Sequence, residues 1–486
     1  MGLNLNVIPV NWKVPGVYLG VDNSGAVAGI PAQRKPVLLV GLRRSTGTIG
    51  PAVVKPITGP SQGAVYFGRG SQLAHMCEAY VKANPNSEVY ATALNEDGAG
   101  VKATATVTVT GTATETGTLT FVWGGRLLNV PVAKDDTEDD IAASIVAADT
   151  ADGDSATTSA AADNVVTASA RHKGAYGNGL SIFHNYYDGD KTPAGVTIVV
   201  TAFASGATDP AIATAIAALG GDTLYYSIVP GWTLDANMDV LEAELEDRWG
   251  AIRAIPGHAI AAVRANHTDS VTYGNARNSP FSSVLATGLS PTPPWIWAST
   301  LAAVEVAEND PAVPRQNIKL PRCLPPLEAD RFTIQERNLL LLDGMATYKI
   351  TAGEAYIEYM RTTYQVNANA IEDSSYDSIE IMRCLAYFRH AIVTRFLLRY
   401  PKAKLGNDGE AFAAGQIVMT PRLARGEILS VFDELNQMAI VEDRKQFETE
   451  LIVERDENNP NALNAFLPPN FVNQFRILAG LVGFKL

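Results

Sequence analysis

Apolar runs alternate with amphipathic segments in two separate parts of the chain, at 37–97 and at 196–310. The runs 37–41 and 259–263 are continuously apolar, which is typical of strands that are buried on both faces of a sheet. Segments between such runs, for example 71–81, have the spacing of a helix with one apolar face. Strands that alternate with helices predict a mostly parallel, doubly wound sheet. We therefore predict one discontinuous α/β core domain that is built from both parts.

A different pattern interrupts this core between residues 98 and 195. Residues 101–110 alternate with a period of two and are rich in threonine and valine, as in a half-buried strand. The Gly124-Gly125 pair within 117–132 predicts the turn of a hairpin. We predict an inserted, outward-facing β-rich domain. A disordered low-complexity insert is the alternative, and both the alternation and the aromatic residues of the hairpin argue against it.

The last part of the chain, 311–474, begins with a cluster of prolines and then changes character. Its patterns predict helices near 333–342, 377–400 and 421–438, a hairpin near 345–364, and an extended segment at 447–455. This mixture predicts a C-terminal α+β domain. The predicted fold class is therefore a multi-domain combination of α/β and α+β, with a mostly parallel core, an inserted β-rich domain and a C-terminal α+β domain.

Both ends of the chain predict extended arms rather than domains. Residues 1–36 are rich in proline and glycine around one strand-like run, 14–21, and a floppy N-terminus is the alternative. Residues 475–486 are apolar and strand-forming, and an internal strand of their own domain is the alternative. An extended arm can add a strand to the sheet of another chain. The side chains predicted to do so are Val14, Val17, Tyr18, Leu19 and Val21 in the first arm, and Phe475, Ile477, Leu478, Leu481, Val482 and Phe484 in the second.

Composition and charge narrow the class of protein. The 486 residues are 47% hydrophobic and 18% charged, which is enough for several packed domains. The formal net charge of −13 argues against a general nucleic-acid binder and against docking on anionic lipid. The three cysteines, far apart in sequence, do not predict a disulfide framework. With neither a long apolar run nor a signal-peptide pattern in the sequence, we expect a soluble protein made inside a cell, with no membrane insertion.

Known catalytic and ligand-binding motifs are missing from the sequence. It contains no P-loop, GxGxxG, GxSxG, HExxH or CxxC pattern, and its six histidines form no ligand-spaced cluster. Gly68-Arg69-Gly70 predicts a tight turn rather than a phosphate site, and the acidic run 135–140 predicts a helix start rather than a calcium loop. We expect no catalytic residue, no metal and no cofactor. An enzyme on the doubly wound core is an alternative that the fold alone would allow.

A basic stretch stands out in this acidic chain. Residues 381–405 contain six basic side chains and no acid, and Arg395, Arg399 and Lys402 are predicted on one helical face. Arg422 and Arg425 begin the next amphipathic helix. Either set could face an acidic partner. Salt bridges between subunits and a solvated helix face are the alternatives.

The C-terminal part contains the most distinctive sequence motifs. It reads LLLLDGMATY at 339–348, IEYMRTTYQ at 357–365, FETELIVERD at 447–456 and LPPNFVNQFR at 467–476. With Pro15-Gly16-Val17-Tyr18 near the start, this text resembles the contractile tail sheath proteins of Mu-like bacteriophages. That family is related to the sheaths of R-type pyocins and type VI secretion systems. The resemblance spans nearly the whole chain and is strongest over 335–486.

The resemblance implies a structural function. Sheath proteins stack as six-fold rings around an inner tail tube and contract to drive that tube through the host envelope. Implied partners are further copies of the chain, the tube, the baseplate and the tail terminator, in a virion tail assembled in the host cytoplasm. The arms would interlock with neighbouring C-terminal domains, with Leu451, Ile452 and Val453 as the receiving strand. The tube contact would be the helix at 421–438, through Arg422 and Arg425. The sheath of a phage-derived bacterial injection device is the alternative.

Overall fold

The structure is a computed structural model that describes residues 13–16, 30–413 and 415–485. The chain divides into a core unit, Arg34–Ala386 with Asn473–Leu486, and a C-terminal unit, Met1–Gln33 with Tyr387–Val472. The mixed α/β class with several sheets is confirmed. The domain boundary predicted at 311 is corrected, because residues 311–386 belong to the core unit.

The core unit contains the elements from β1 to the start of α9. The first are β1 (Val37–Leu42), β2 (Lys55–Pro56), α1 (Gln62–Phe67), α2 (Gln72–Ala83) and β3 (Val89–Leu94). The insert supplies β4 (Thr104–Thr110), β5 (Gly117–Trp123), β6 (Arg126–Val132), α3 (Glu138–Ala151), β7 (Thr157–Ala162), β8 (Val165–Ala170), β9 (Ile182–His184) and β10 (Thr197–Val200). Then follow α4 (Ala213–Ala217), β11 (Ser227–Pro230), α5 (Asp235–Trp249), β12 (Ala259–Val263), α6 (His267–Asn275), β13 (Ser282–Ala286), α7 (Pro294–Ala307), α8 (Ile334–Leu342), β14 (Thr347–Thr351), β15 (Glu354–Tyr359) and α9 (Ile379–Arg399).

The main sheet of the core unit is built on β1. All residues of β1 are buried, and β1 pairs in parallel with both β3 and β11. In the described chain the sheet has the order β13-β12-β11-β1-β3-β2, with β2 antiparallel at its edge. Helices α2 and α7 pack against this sheet, and Trp295 and Trp297 of α7 are almost fully buried. The continuous apolar runs of the sequence thus become strands covered on both faces.

The insert forms two further sheets with α3 packed against them. One sheet has the order β10-β4-β8-β7 and the other β6-β5-β9, and β5 turns into β6 at Gly124 and Gly125. Both glycines have positive φ, +56° and +83°, which a tight hairpin turn requires. Along β4 the residues Ala105, Val107 and Val109 are buried and their neighbours are not. The predicted alternation is therefore a sheet with one covered face.

The predicted return to the core at residue 196 is wrong. Strand β10 pairs antiparallel with β4, with Thr197 opposite Thr110, so it belongs to the insert. Isolated bridges from Val101 to Ala207 and from Thr104 to Ala204 continue this pairing. The run looked like a core strand because it is β-branched, but Thr197 and Val199 are exposed, as on an edge strand. The insert closes beyond Ala207.

The C-terminal unit packs the rest of α9 with several short elements. These are β16 (Lys404–Leu405), β17 (Val418–Met419), α10 (Pro421–Gln437), β18 (Val441–Glu442), α11 (Arg444–Glu450), β19 (Ile452–Arg455), β20 (Leu463–Phe466) and β21 (Asn470–Phe471). Its core contains Phe432 and Phe447, whose rings stack with centroids 4.2 Å apart. The segment predicted as extended from 447 is extended only from Ile452, because Asp443 caps the helix α11 that contains Phe447. No helix in the described ranges is both long and apolar enough to cross a membrane.

Candidate inter-subunit interface

Large apolar side chains are exposed along the C-terminal tail, residues 477–485. Leu481 is 99% exposed, and Val482, Phe484, Ile477 and Leu478 are each more than four-fifths exposed. The described part of the chain offers these residues no strand partner. A contiguous exposed apolar segment marks a surface that another molecule covers.

The root of this tail is anchored firmly in the core unit. The guanidinium of Arg476 lies 3.0 Å from the Glu380 carboxylate and 3.8 Å from the centre of the Tyr359 ring. The contact with Glu380 is electrostatic, since its angles fall outside those of a hydrogen bond. The side chain of Gln316 also donates to the carbonyl of Phe475 at 3.3 Å. The chain is therefore held up to Arg476 and exposed immediately after it.

Glu380 belongs to a buried network of charges beneath that anchor. Its other oxygen accepts the backbone N–H of Arg315 at 2.6 Å, and the Arg315 guanidinium lies 3.8 Å from Glu305. The guanidinium of Arg383 donates two hydrogen bonds of 3.0 Å to the carboxylate of Glu305. Burial pushes the pKa of Glu305 upward, but Arg383 and Arg315 outweigh it, so the pKa is lowered and the carboxylate stays ionised.

In the sequence, Arg383 was part of the basic stretch. In the structure it is buried, and its remaining N–H groups donate to Tyr226 and Ser227 while its guanidinium lies 3.7 Å from the Tyr226 ring centre. It is therefore an internal residue and not part of a charged surface. The signal that could have shown this is Glu305, a lone acid in the apolar run of α7.

The predicted receiving strand lies in a small hairpin of the C-terminal unit. Strand β19 pairs antiparallel with β20, with Ile452 opposite Phe466, and both of these side chains are more than half exposed. Leu451 is buried at the end of α11, and Val453 is half-buried on β19. In the described residues β19 has no second strand neighbour. An unpaired edge is a template for a further strand, and two strands alone are only marginally stable.

The predicted N-terminal arm is described only in part. Val14 is exposed, whereas Val17, Tyr18, Leu19 and Val21 lie outside the described residues. Where description resumes, the ring nitrogen Nε2 of His390 lies 3.1 Å from the carbonyl of Pro31, to which it donates. The base of this arm is thus fixed to α9 within the C-terminal unit.

The basic residues predicted to face an acidic partner differ in their burial and in whether they already form ion pairs within the chain. Arg395 is buried and pairs with Glu427 and Glu434 of α10, and Arg399 pairs with the same Glu427 at 3.3 Å. These acids lie seven residues apart, on one face of α10, and this spacing is the sequence signal for the pairing. Lys402 lies beyond the end of α9, so its predicted place on that helical face is wrong.

Two arginines begin α10 itself. Arg422 is exposed, and Arg425 is half-buried with its guanidinium on the carbonyl of Glu448. Neither forms an ion pair with a carboxylate in the described part of the chain, unlike Arg395. Of the predicted set, Arg422, Arg425 and Lys402 keep their charges available to a partner.

The usual ligand position of a doubly wound sheet is filled by protein. The order of the strands reverses between β1 and β11, and such switch points are where open α/β sheets bind ligands. Here the side chain of Gln72 accepts from the backbone of Leu42 on β1 and donates to the carbonyl of Gly231 just after β11. The imidazole of His172, from the insert, accepts the backbone N–H of Gln72 and contacts Glu96. The side chains of Gln72 and His172 therefore occupy the switch point between β1 and β11.

An anchored apolar tail in the core unit and an unpaired hairpin edge in the C-terminal unit are features of a protein that is completed by contacts with other chains. The comparisons agree. The phage tail sheath central domain matches residues 205–363, and the phage tail sheath C-terminal domain matches residues 372–485. The chain is 37% identical to the Mu-like prophage FluMu tail sheath protein of Haemophilus influenzae over 489 aligned residues, which cover 100% of both chains.

A solved structure extends the similarity to the fold. The crystal structure of a sheath tail protein from Desulfitobacterium hafniense matches with a TM-score of 0.50 and 14% identity, covering 94% of this chain and 97% of that one. The chain belongs to the phage tail sheath family, and the resemblance drawn from the C-terminal text is confirmed. It is a structural protein of the phage tail.

Proposed function

We propose that this protein polymerises as stacked six-fold rings around an inner tail tube and contracts to drive the tube through the host envelope. The observation that carries the proposal is the apolar tail after Arg476, which is held at its root and uncovered beyond it. Family membership supports the same reading. The partners are further copies of the chain, the tube, the baseplate and the tail terminator, and assembly takes place in the host cytoplasm.

The tail would work by strand addition. Its backbone pairs with the free edge of β19 in a neighbouring subunit, and the N-terminal arm at 14–21 adds to the same small sheet. Main-chain hydrogen bonds supply affinity, and alternate apolar side chains supply the register. A linker that is anchored only at its ends lets subunits change their packing during contraction without separating.

Purified full-length protein offers the direct test of polymerisation. Size-exclusion chromatography and negative-stain electron microscopy should show hollow tubes or stacked rings. A strictly monomeric, folded particle at high concentration, both alone and with added tube protein, would reject the proposal.

In the assembled sheath, the C-terminal unit would face the tube and the insert would face outward. The exposed cations Arg422 and Lys402, with Arg425, would meet acidic groups of the tube. Contacts between solvent-exposed charges are individually weak and screened by salt, which suits an interface that must be released.

Reversing the charges at the start of α10 tests this tube contact. We expect Arg422→Glu with Arg425→Glu to abolish assembly on the tube, because attraction to acidic groups becomes repulsion. The measurement is co-sedimentation with tube protein, followed by microscopy. Lys445→Glu, an exposed charge reversal in the same unit, is the control and should assemble normally. Unchanged co-assembly of the double variant would exclude this helix as the contact.

Removal of the insert tests its outward position. Residues 101–207 can be excised because the bridge between Val101 and Ala207 brings the two ends together. We expect a short glycine linker between Gly100 and Thr208 to leave polymerisation intact, since the arms and the β19 hairpin are untouched. Microscopy gives the result, and thermal unfolding verifies that the variant is folded. A folded variant that forms no tubes would place the insert in an essential contact.

A further inference from the structure

A cleft lies between the core and the insert, in a part of the core unit that the proposed function does not use. Its volume is about 960 Å³. Arg44, Arg69 and His75 line it from the core, and Asp154 and Arg171 line it from the insert. Clefts of this size at the junction of two domains are common ligand sites.

The lining of the cleft is positively charged, although the chain has a net charge of −13. Its basic side chains are Arg44, Arg69, Lys82, Arg126 and Arg171, and its acids are Glu78, Asp149 and Asp154. The basic groups thus exceed the acidic groups by two. His75 adds no charge at neutral pH, because burial lowers its pKa.

Most of these charges are already paired. Arg69 holds Asp154 at 2.8 Å, and Lys82 pairs with Glu78. Arg126 lies 2.7 Å from Asp152, just outside the cleft. The carboxylate of Asp149 accepts hydrogen bonds from three hydroxyl groups.

Arg44 and Arg171 are the two remaining basic side chains of the cleft. Neither forms an ion pair with a carboxylate among the residues that the structure describes. Arg44 donates one N–H to the carbonyl of Arg69 at 2.7 Å, and the Nε of Arg171 donates to the carbonyl of Ser155. A guanidinium has five N–H groups, so each retains donors for a ligand. Burial, and then the nearby charge of Arg44, lower the pKa of Arg171, although the carboxylates of Asp149, Asp152 and Asp154 raise it, so the two cations lie close enough to repel each other.

We propose that this cleft binds a phosphate-type oxyanion between Arg44 and Arg171. Guanidinium groups form the strongest hydrogen bonds to such oxygens, and a bound anion would relieve the repulsion between the two cations. Hydroxyl groups of Thr46 and Thr158, which line the same cleft, supply further donors. Arg44 follows β1 and Arg171 follows β8, so the anion would join the core to the insert.

The Gly68-Arg69-Gly70 motif has a part in this site. It is a tight turn, as the sequence predicts, with φ of +90° at Gly68 and +70° at Gly70. A Cβ at Gly70 would lie 2.6 Å from the carbonyl of Ser155 and 2.9 Å from the Nε of Arg171. The absence of a side chain at Gly70 therefore allows the turn to approach Ser155 and Arg171 of the insert closely, and Arg171 lines the cleft.

Titration of full-length protein with inorganic phosphate and with pyrophosphate tests the proposal. At constant ionic strength, with sodium chloride as the reference salt, calorimetry should show saturable binding and thermal unfolding should shift to higher temperature. Stronger binding of pyrophosphate would identify a polyphosphate chain as the ligand class, and equal binding a single phosphate group.

Variants locate the site. Arg44→Gln with Arg171→Gln should weaken binding by about tenfold or more, whereas Arg44→Lys with Arg171→Lys should retain much of it. Lys134→Gln with Lys191→Gln removes two exposed charges of the insert and should bind as the native chain does. Absence of saturable binding, or equal binding by the glutamine variant, would overturn the proposal. If the glutamine variant instead loses polymerisation while the native chain binds no phosphate, the counter-charge is an acidic segment of another subunit and the proposal is rejected.

Discussion

Removal of residues 477–486 will leave a folded protein that no longer polymerises. The deletion takes away the exposed apolar side chains from Ile477 to Phe484 but keeps Arg476, so Glu380 retains its ionic partner. No buried contact of the core unit is lost, and the unfolding temperature should match that of the full chain. The rings and tubes should disappear, because the backbone that adds to the neighbouring subunit is missing.

Two further variants distinguish strand addition from non-specific hydrophobic association. Ile477→Val with Leu478→Ile keeps apolar, β-branched side chains on the tail and should polymerise normally. Leu478→Asp with Val482→Asp places charges where the neighbour would bury them and should polymerise as poorly as the deletion. Chromatography and electron microscopy measure both. Tubes formed by the truncated protein would show that the tail is dispensable.

Neutralising Glu305 will cause a large loss of stability in the core unit. Glu305→Gln leaves Arg383 and Arg315 buried without their counter-charge. Removing one partner of a buried ion pair costs about 3–5 kcal/mol, a large part of the stability of a domain. The midpoint of urea unfolding, monitored by fluorescence, should fall accordingly.

The matched control is an exposed pair of the same unit. Lys319 and Glu354 lie 2.6 Å apart and are each about half exposed, so Glu354→Gln should change stability by less than about 1 kcal/mol. The pH dependence gives a second readout. The pKa of Glu305 is depressed in the folded state, so its contribution is present above the pKa of the unfolded chain and is lost as pH falls through the folded value. That acid-sensitive contribution should be missing from Glu305→Gln, and equal losses in both variants would contradict the account.

Local patterns predicted the features that depend on local physics. Residues 37–41 could be assigned to a buried strand because a strand covered on both faces must be apolar throughout, and they lie in β1. Gly124-Gly125 could be assigned to a turn because the hairpin needs positive φ there, and it has it. The family could be recognised from the text over 335–486, and the comparisons confirm it.

Features that depend on distant partners could not be predicted in this way. The run at 197–200 has strand propensity, but nothing in it specifies β4 rather than the core sheet as its neighbour. Arginines of the basic stretch at 381–405 occupy two different environments. Arg383 forms an ion pair with Glu305 of α7, whereas Arg395 forms an ion pair with Glu427 of α10. Each acid lies far from its arginine in sequence, so the residue spacing within the basic stretch does not predict either ion pair.

Disulfide mapping between the tail and β19 tests the central claim most directly. One variant set combines Ile452→Cys with a single cysteine placed in turn at each tail position from 477 to 482. The native thiols of Cys77, Cys323 and Cys384 are buried, so they add little background. Strand addition predicts cross-links between subunits in the assembled polymer, with reactivity that alternates along the tail because successive side chains of a strand point to opposite faces. Absence of cross-links between subunits at every tail position, in polymers that have formed, would contradict the claim that the tail joins neighbouring subunits through this strand.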